Sequence, residues 1–222
     1  MEIKNIKKEF PIFKQKINGK PLVYLDSANS SQKPKVVIDK ISNFYETEFS
    51  NVGRSVHTLA VKATNRFEAV RDKVKQYINA KHREEIIFTK GATEGINLVA
   101  SSFGKKYINK GDEILVTELE HHSNYVPWHY LRSEKGAVIK FAQVNSDGDV
   151  EIDEIKKQIT NKTKIIAITH ISNVTGAVLP ITKIVDLAKE RNIPVLIDGT
   201  QGAPHSHIDM QQIGCDFYAI SC

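Results

Sequence analysis

Cysteine is nearly absent from this chain: of 222 residues only Cys215 and Cys222 carry thiols. They stand too far apart for a C-x-x-C motif and are too few for a disulfide framework. No apolar run approaches the roughly 20 residues that span a bilayer. The opening Met1–Glu9 is charged throughout and lacks the apolar core of a signal peptide, so the expected setting is cytoplasmic, with no membrane partner. A dinucleotide fingerprint (G-x-G-x-x-G), a P-loop (G-x-x-x-x-G-K-[ST]) and an H-E-x-x-H motif are all missing, which removes the main support for nicotinamide, ATP and zinc-protease readings.

What is present is ordinary for a folded domain. Hydrophobic residues make up 41% and charged residues 26%, which excludes a disordered tail or a fibrous repeat. The net charge of +5 comes from scattered lysines such as Lys14, Lys16, Lys156 and Lys164, without interleaved aromatics. That pattern is a solvated surface, and no nucleic-acid partner is expected.

Pattern organises the chain into alternating elements. Pro34 to Glu48 and Ala63 to Tyr77 have helical spacing. Strands are expected at Ile86–Thr89, Glu113–Thr117, Ala137–Val144, Lys164–Thr169, Pro194–Asp198 and Asp216–Ile220. Helices between them are expected from Gly91 to Tyr107, Val126 to Ser133, Ile152 to Ile159 and Pro180 to Ala188. Short apolar strands alternating with helices predict an α/β fold, a mostly parallel sheet covered on both faces. Residues 1–50 lack this alternation and read as an arm or part of a small lobe, ahead of a large domain over 51–222.

Ligands of open α/β sheets bind beyond the carboxyl ends of the strands, and polar residues collect there. Gly91-Ala92-Thr93-Glu94, Glu120-His121-His122-Ser123-Asn124, His170-Ile171-Ser172-Asn173 and Asp198-Gly199-Thr200-Gln201 each follow a strand. The turn at Ala92 and Thr93 opens a helix, where backbone N–H groups suit a phosphate. Asp198 closes an apolar strand, badly placed for a core and well placed to pair with a buried cation such as a pyridinium nitrogen; Gln201 can reach another edge of the same ring. No metal is expected, because adjacent His121 and His122 diverge and His205 and His207 lack a third ligand. Cys215 reads as a small buried hydrophobe.

At these residues the chain resembles the pyridoxal-phosphate (PLP)-dependent cysteine desulfurases of the aminotransferase class V family, in particular the sulfur-mobilising SufS-like group. The segments that carry the resemblance are Asn18–Ala28, Ser31–Pro34, Thr89–Val99, Glu120–Asn124 with Pro127-Trp128, Thr169–Val174, Asp198–His205 and Cys215–Ala219. It implies the large domain of an aspartate aminotransferase-like, type I fold. Ala92, Thr93 and Ser221 would hold the PLP phosphate. His121 would stack on the ring and assist proton transfer, as the catalytic residue. Asp198 would keep the ring nitrogen protonated, and Gln201 and Asn173 would contact the ring oxygen. The implied reaction takes L-cysteine to L-alanine and leaves a persulfide for a sulfur-acceptor protein of iron–sulfur cluster assembly, in a homodimer.

Departures from the family pattern leave alternatives open. Relatives continue from the last strand into Ser-Gly-His-Lys, whose lysine holds the cofactor. Here the chain reads Ile220-Ser221-Cys222, with no Lys or Arg after Arg191. The region of the persulfide cysteine and of the carboxylate-binding arginines is absent as well. Asn51–His57 also differs, with Gly53 and Ser55 in place of the usual His and Gly. An inactive truncated fragment or partner subunit is therefore the alternative reading, and a selenocysteine lyase a second. The domain is expected to be incomplete, with the Ile86–Thr89 strand lacking a neighbour on one side, and so unstable alone or paired with something.

Overall fold

The computed structural model describes residues 3–221; Cys222, where the family resemblance led to an expected glycine, lies outside them. The fold divides into two units, 1–73 and 74–222. The change of sequence pattern near residue 50 does not coincide with this division, which falls inside a helix, Thr58–Tyr77.

The first unit begins with helix α1 (Ile3–Lys8) and an antiparallel ribbon of β1 (Lys16–Ile17) and β2 (Lys20–Pro21). The two-residue connection needs left-handed backbone at both positions, and Asn18 (φ 51°) and Gly19 (φ 75°) supply it. Helix α2 (Lys35–Thr47) starts at Pro34, which sits at the N-cap with extended backbone. Helix α3 (Thr58–Tyr77) follows and buries Ala60 and Ala63.

The second unit is built on one parallel sheet. Its strands are β3 (Glu113–Thr117), β4 (Val138–Ala142), β5 (Thr163–Thr169), β6 (Val195–Asp198) and β7 (Phe217–Ala219), in the spatial order β4-β3-β5-β6-β7. The connecting helices are α4 (Ala92–Val99), α5 (Lys105–Tyr107), α6 (Val126–Lys135), α7 (Ile152–Gln158), α8 (Ile181–Lys189), α9 (Gly202–His205) and α10 (Met210–Ile213). Strand alternation sorts the core into two layers. Leu115, Ile166, Ile168, Val195 and Ile197 face one cluster with Ile155, Ile184 and Val185. Ile114, Val116, Ile165, Ala167 and Leu196 face the other, with Ile96, Trp128 and Leu131. Helices therefore cover both faces, as continuous apolar strands require. Each of the Leu, Ile and Val side chains among these, shut away from water, contributes about 1.5–3 kcal/mol.

The expected strand at Ile86–Thr89 does not form. A 3₁₀ turn occupies Arg83–Glu85, Ile86 enters the core at 7% exposure, and Ile87 stays 68% exposed. The segment has no place in the sheet order, which ends at β7. A strand exists only where a neighbouring backbone is in register with it, and local composition cannot supply that neighbour. The expected helix from Gly91 to Tyr107 is present as α4 and α5 joined by a π turn at Ala100–Gly104.

The strand order places a switch point between β3 and β5. From β3 the chain moves to β4 on one side; from β5 it moves to β6 and β7 on the other. Open α/β sheets bind ligands outside the carboxyl ends of the strands at such a point.

Candidate cofactor site

Four parallel, adjacent strands end at one rim of the sheet. His121 lies just beyond β3, Asn173 beyond β5, Asp198 closes β6, and Ser221 lies beyond β7. Thr169 and Asp198 are register partners, so the ends of β5 and β6 are level.

At the start of α4, Gly91 adopts φ 150°, in the range that favours glycine, and leads the chain into the helix. Glu94 Oε2 accepts from the N–H of Lys90, the residue before the N-cap. The Ala92 N–H donates to Ser221 Oγ at 3.4 Å, joining the helix N-terminus to the segment after β7. Ala92 is buried; Thr93 and Ser221 are exposed. Thr93 Oγ1 lies 2.6 Å from Ser123 Oγ, and Ser123 Oγ lies 3.0 Å from His121 Nδ1. A chain of hydroxyls thus connects the helix N-terminus to the His121 ring. The Ser123 N–H also points at His121 Nδ1, at 3.2 Å. A backbone N–H only donates, so Nδ1 accepts and the proton of the neutral ring is assigned to Nε2.

Asp198 is 4% exposed and takes both of its hydrogen bonds on Oδ1, from the Thr200 N–H at 3.0 Å and Thr200 Oγ1 at 2.6 Å. Oδ2 has no hydrogen-bond partner among the described residues. A buried carboxylate with one oxygen held and the other open is a receptor for a cationic N–H. Gln201 follows in the same turn, half-buried, while Asn173 is exposed in the loop after β5. Hydrogen bonds link Ala92 with Ser221 and, through Ser123, Thr93 with His121, while Asn173 stands in the separate loop after β5.

Three features of this rim were not legible as site residues. Thr200 and Ser123 work by local hydrogen bonds inside polar turns. Glu120 is the third: its Oε1 accepts from Thr117 Oγ1 at 2.6 Å and from the Thr169 N–H at 2.9 Å, and its Oε2 from Asn124 Nδ2 at 2.7 Å. Burial lifts its carboxyl from the usual 4.5 to about 7, against the pull of those three donors and with a further push from the Asp198 charge. The only sequence signal was a glutamate in the polar segment shortly after a buried strand. Cys215 packs against the core, and burial with the nearby Asp216 charge pushes its thiol up to about 12. A cavity of about 420 Å³ lies at the opposite end of the strands, beside Thr163, Lys164 and Arg191, and is separate from this rim.

A parallel sheet covered by helices on both faces, with polar side chains gathered on the rim at the strands' carboxyl ends, is the architecture of an α/β ligand-binding domain. Residues 23–222 match the aminotransferase class-V family, and the chain belongs to that family. It is 47% identical over its whole length to a probable cysteine desulfurase of Halalkalibacterium halodurans, covering 54% of that protein. It is 46% identical over 99% of its length to a cysteine desulfurase of Serratia proteamaculans, again covering 54% of the relative. Among solved structures, the cysteine desulfurase CsdA (S-sulfonic acid) of Escherichia coli superposes with a TM-score of 0.86 at 35% identity over all of this chain and 54% of that one. The apo cysteine desulfurase of Thermococcus onnurineus NA1 gives 0.91 at 31% identity, over all of this chain and 53% of its own. The fold is that of these enzymes, and the chain spans about half their length. Class V aminotransferases depend on PLP. Among the described residues no helix is long and apolar enough to cross a membrane.

Proposed function

We propose that this chain carries the PLP-binding part of a cysteine desulfurase, which converts L-cysteine to L-alanine and passes the sulfur to an enzyme thiol as a persulfide. The thiol loses its proton, gains the sulfur, and the former substrate carbon takes up hydrogen. Delivery to a sulfur-acceptor protein of iron–sulfur assembly, action as a homodimer and a cytoplasmic setting belong to the same reading. The identity with named cysteine desulfurases supports it.

One observation of this chain carries the reading: Asp198, 4% exposed, keeps Oδ2 free of hydrogen bonds among the described residues. The residues present fit the cofactor. The Ala92 N–H and the hydroxyls of Thr93 and Ser221 would bind the phosphate. Asp198 would hold the ring nitrogen protonated through Oδ2. Gln201 and Asn173 would orient the ring oxygen, Asn173 also toward the substrate carboxylate. His121 would lie against the ring and move a proton at Nε2, the atom its Ser123 contacts leave free. Bound there, PLP supplies an electron-accepting ring that stabilises charge on the substrate carbon.

A second reading concerns the 222 residues by themselves. No lysine follows Arg191, and Lys90 precedes the phosphate turn. On this reading the polypeptide holds PLP reversibly and releases no alanine. Titrating the purified chain with PLP, with and without borohydride, tests both. Saturable binding with no borohydride-fixed adduct is expected. Failure to bind PLP would overturn the cofactor role, and a fixed adduct with alanine release would overturn the reversible-binding reading.

A further inference from the structure

Glu120 has no part in the roles above, yet it sits at the switch point between β3 and β5, one residue before His121. Its carboxylate gathers donors from three places: Thr117 at the end of β3, Thr169 at the end of β5, and Asn124 in the turn that follows. The orientation of the Asn124 amide is fixed independently. Trp128 Nε1, which only donates, lies 3.4 Å from Asn124 Oδ1, so Nδ2 is the end that faces Glu120. Asn124 is fully buried and its N–H closes the turn onto the His121 carbonyl at 2.8 Å. Between them lies Ser123, whose N–H and hydroxyl meet the His121 ring.

We propose that Glu120 is the positioning residue of His121: as a carboxylate it anchors Asn124 to the ends of β3 and β5 and so sets the turn from which Ser123 holds the imidazole. The inference rests on the reading that His121 faces the cofactor, and it adds the device that aims the ring. The polarity of the network requires an accepting oxygen opposite Asn124 Nδ2, and a carboxylate supplies one at each end. With a neutral amide at 120, one end still accepts from Thr117 and Thr169, but the other presents N–H to Asn124 Nδ2. Turning the Asn124 amide round only moves the conflict, because its NH₂ then meets the Trp128 N–H. One donor–donor contact persists in either arrangement, and a buried polar group left unpaired costs about 1–3 kcal/mol. Exchanging the two groups restores every bond: in the E120Q/N124D double variant, the amide at 120 donates to the carboxylate at 124, which also accepts the indole N–H.

The test reads the His121 ring in the full 222-residue chain without added PLP, by imidazole nitrogen shifts at pH 8. The unsubstituted chain is expected to show a single neutral tautomer with the proton on Nε2. In Glu120→Gln that signature is lost to an average of the two tautomers, and in E120Q/N124D it returns. An unchanged His121 signature in Glu120→Gln, with only a lowered urea midpoint, assigns Glu120 a purely structural role and overturns the proposal. If Glu120→Gln fails to fold, the double variant decides: a restored ring signature supports the proposal and an averaged one overturns it. PLP titration of the unsubstituted chain judges the cofactor reading separately. A chain that ignores PLP but loses its ring signature in Glu120→Gln would sink that reading and leave the role of Glu120 standing.

Discussion

His170 Nδ1 and the Tyr218 hydroxyl lie 2.8 Å apart, pressed against the turn that carries Gly199 and Gly202. His170 follows β5 and Tyr218 belongs to β7, so this bond reaches across the end of β6, where Asp198 stands. Burial holds the His170 imidazole below its usual range and pushes the Tyr218 phenol up, and both therefore stay neutral. A Cβ at Gly199 would run into the Tyr218 ring, and one at Gly202 into both side chains. Gly199→Ala and Gly202→Ala are each expected to cost about 1–3 kcal/mol through overpacking. Because this turn also carries Gln201, PLP affinity is expected to fall with stability. Urea midpoints and PLP titration of the two variants check this.

Asp198→Asn keeps the size of the side chain but removes the charge that would face the ring nitrogen. A hydrogen bond to a charged group contributes about 1.5–3 kcal/mol, so PLP binding is expected to weaken by about tenfold or more. Thr200 can still donate to the remaining carbonyl oxygen, and the fold is expected to survive. Comparing dissociation constants at matched circular-dichroism spectra is the measurement; equal affinities would remove Asp198 from the site.

The raised carboxyl of Glu120 gives stability a definite pH dependence. Between about 4.5, its value in the unfolded chain, and about 7 in the folded one, the native state keeps a proton that the unfolded state has released. Raising the pH through that window therefore disfavours the native state, and the loss is complete above about 7. Glu154 and Asp209, whose carboxyls are lowered by hydrogen bonds, contribute the opposite slope at lower pH. The urea midpoint of Glu120→Gln minus that of the unsubstituted chain is thus expected to climb from pH 5 to pH 8. Parallel curves would contradict the assignment.

The Cys215 thiol, at about 12, is almost wholly protonated at neutral pH and lies against the core. Native chain treated with iodoacetamide at pH 8 is expected to leave Cys215 unmodified, and urea-unfolded chain to alkylate it fully. Peptide mass mapping distinguishes Cys215 from Cys222.

Much of this molecule was readable in advance because its strands are buried on both faces. Ile114–Val116 and Ile165–Ile168, the middles of β3 and β5, appear as uninterrupted apolar runs, and a parallel sheet covered by helices demands that composition. Each strand then hands over to polar residues that have no use in a core, which is why His121, Asn173 and Asp198 stood out. Ile86–Thr89 has the same local composition and forms no strand, because pairing needs a second backbone in register.

The amino-acid order by itself determined which segments form the five strands of the parallel sheet, which helix opens on a small-residue turn, and which polar residues end up on one rim. These follow from short-range steric and hydrophobic preferences that each segment carries with it. Only the tertiary structure decided that Glu120 meets Thr169, that the ends of β5 and β6 are level, and that Asp198 keeps one oxygen free. Those relationships join residues dozens of positions apart, and hydrogen-bond polarity and desolvation act through distance in space, whatever the separation along the chain.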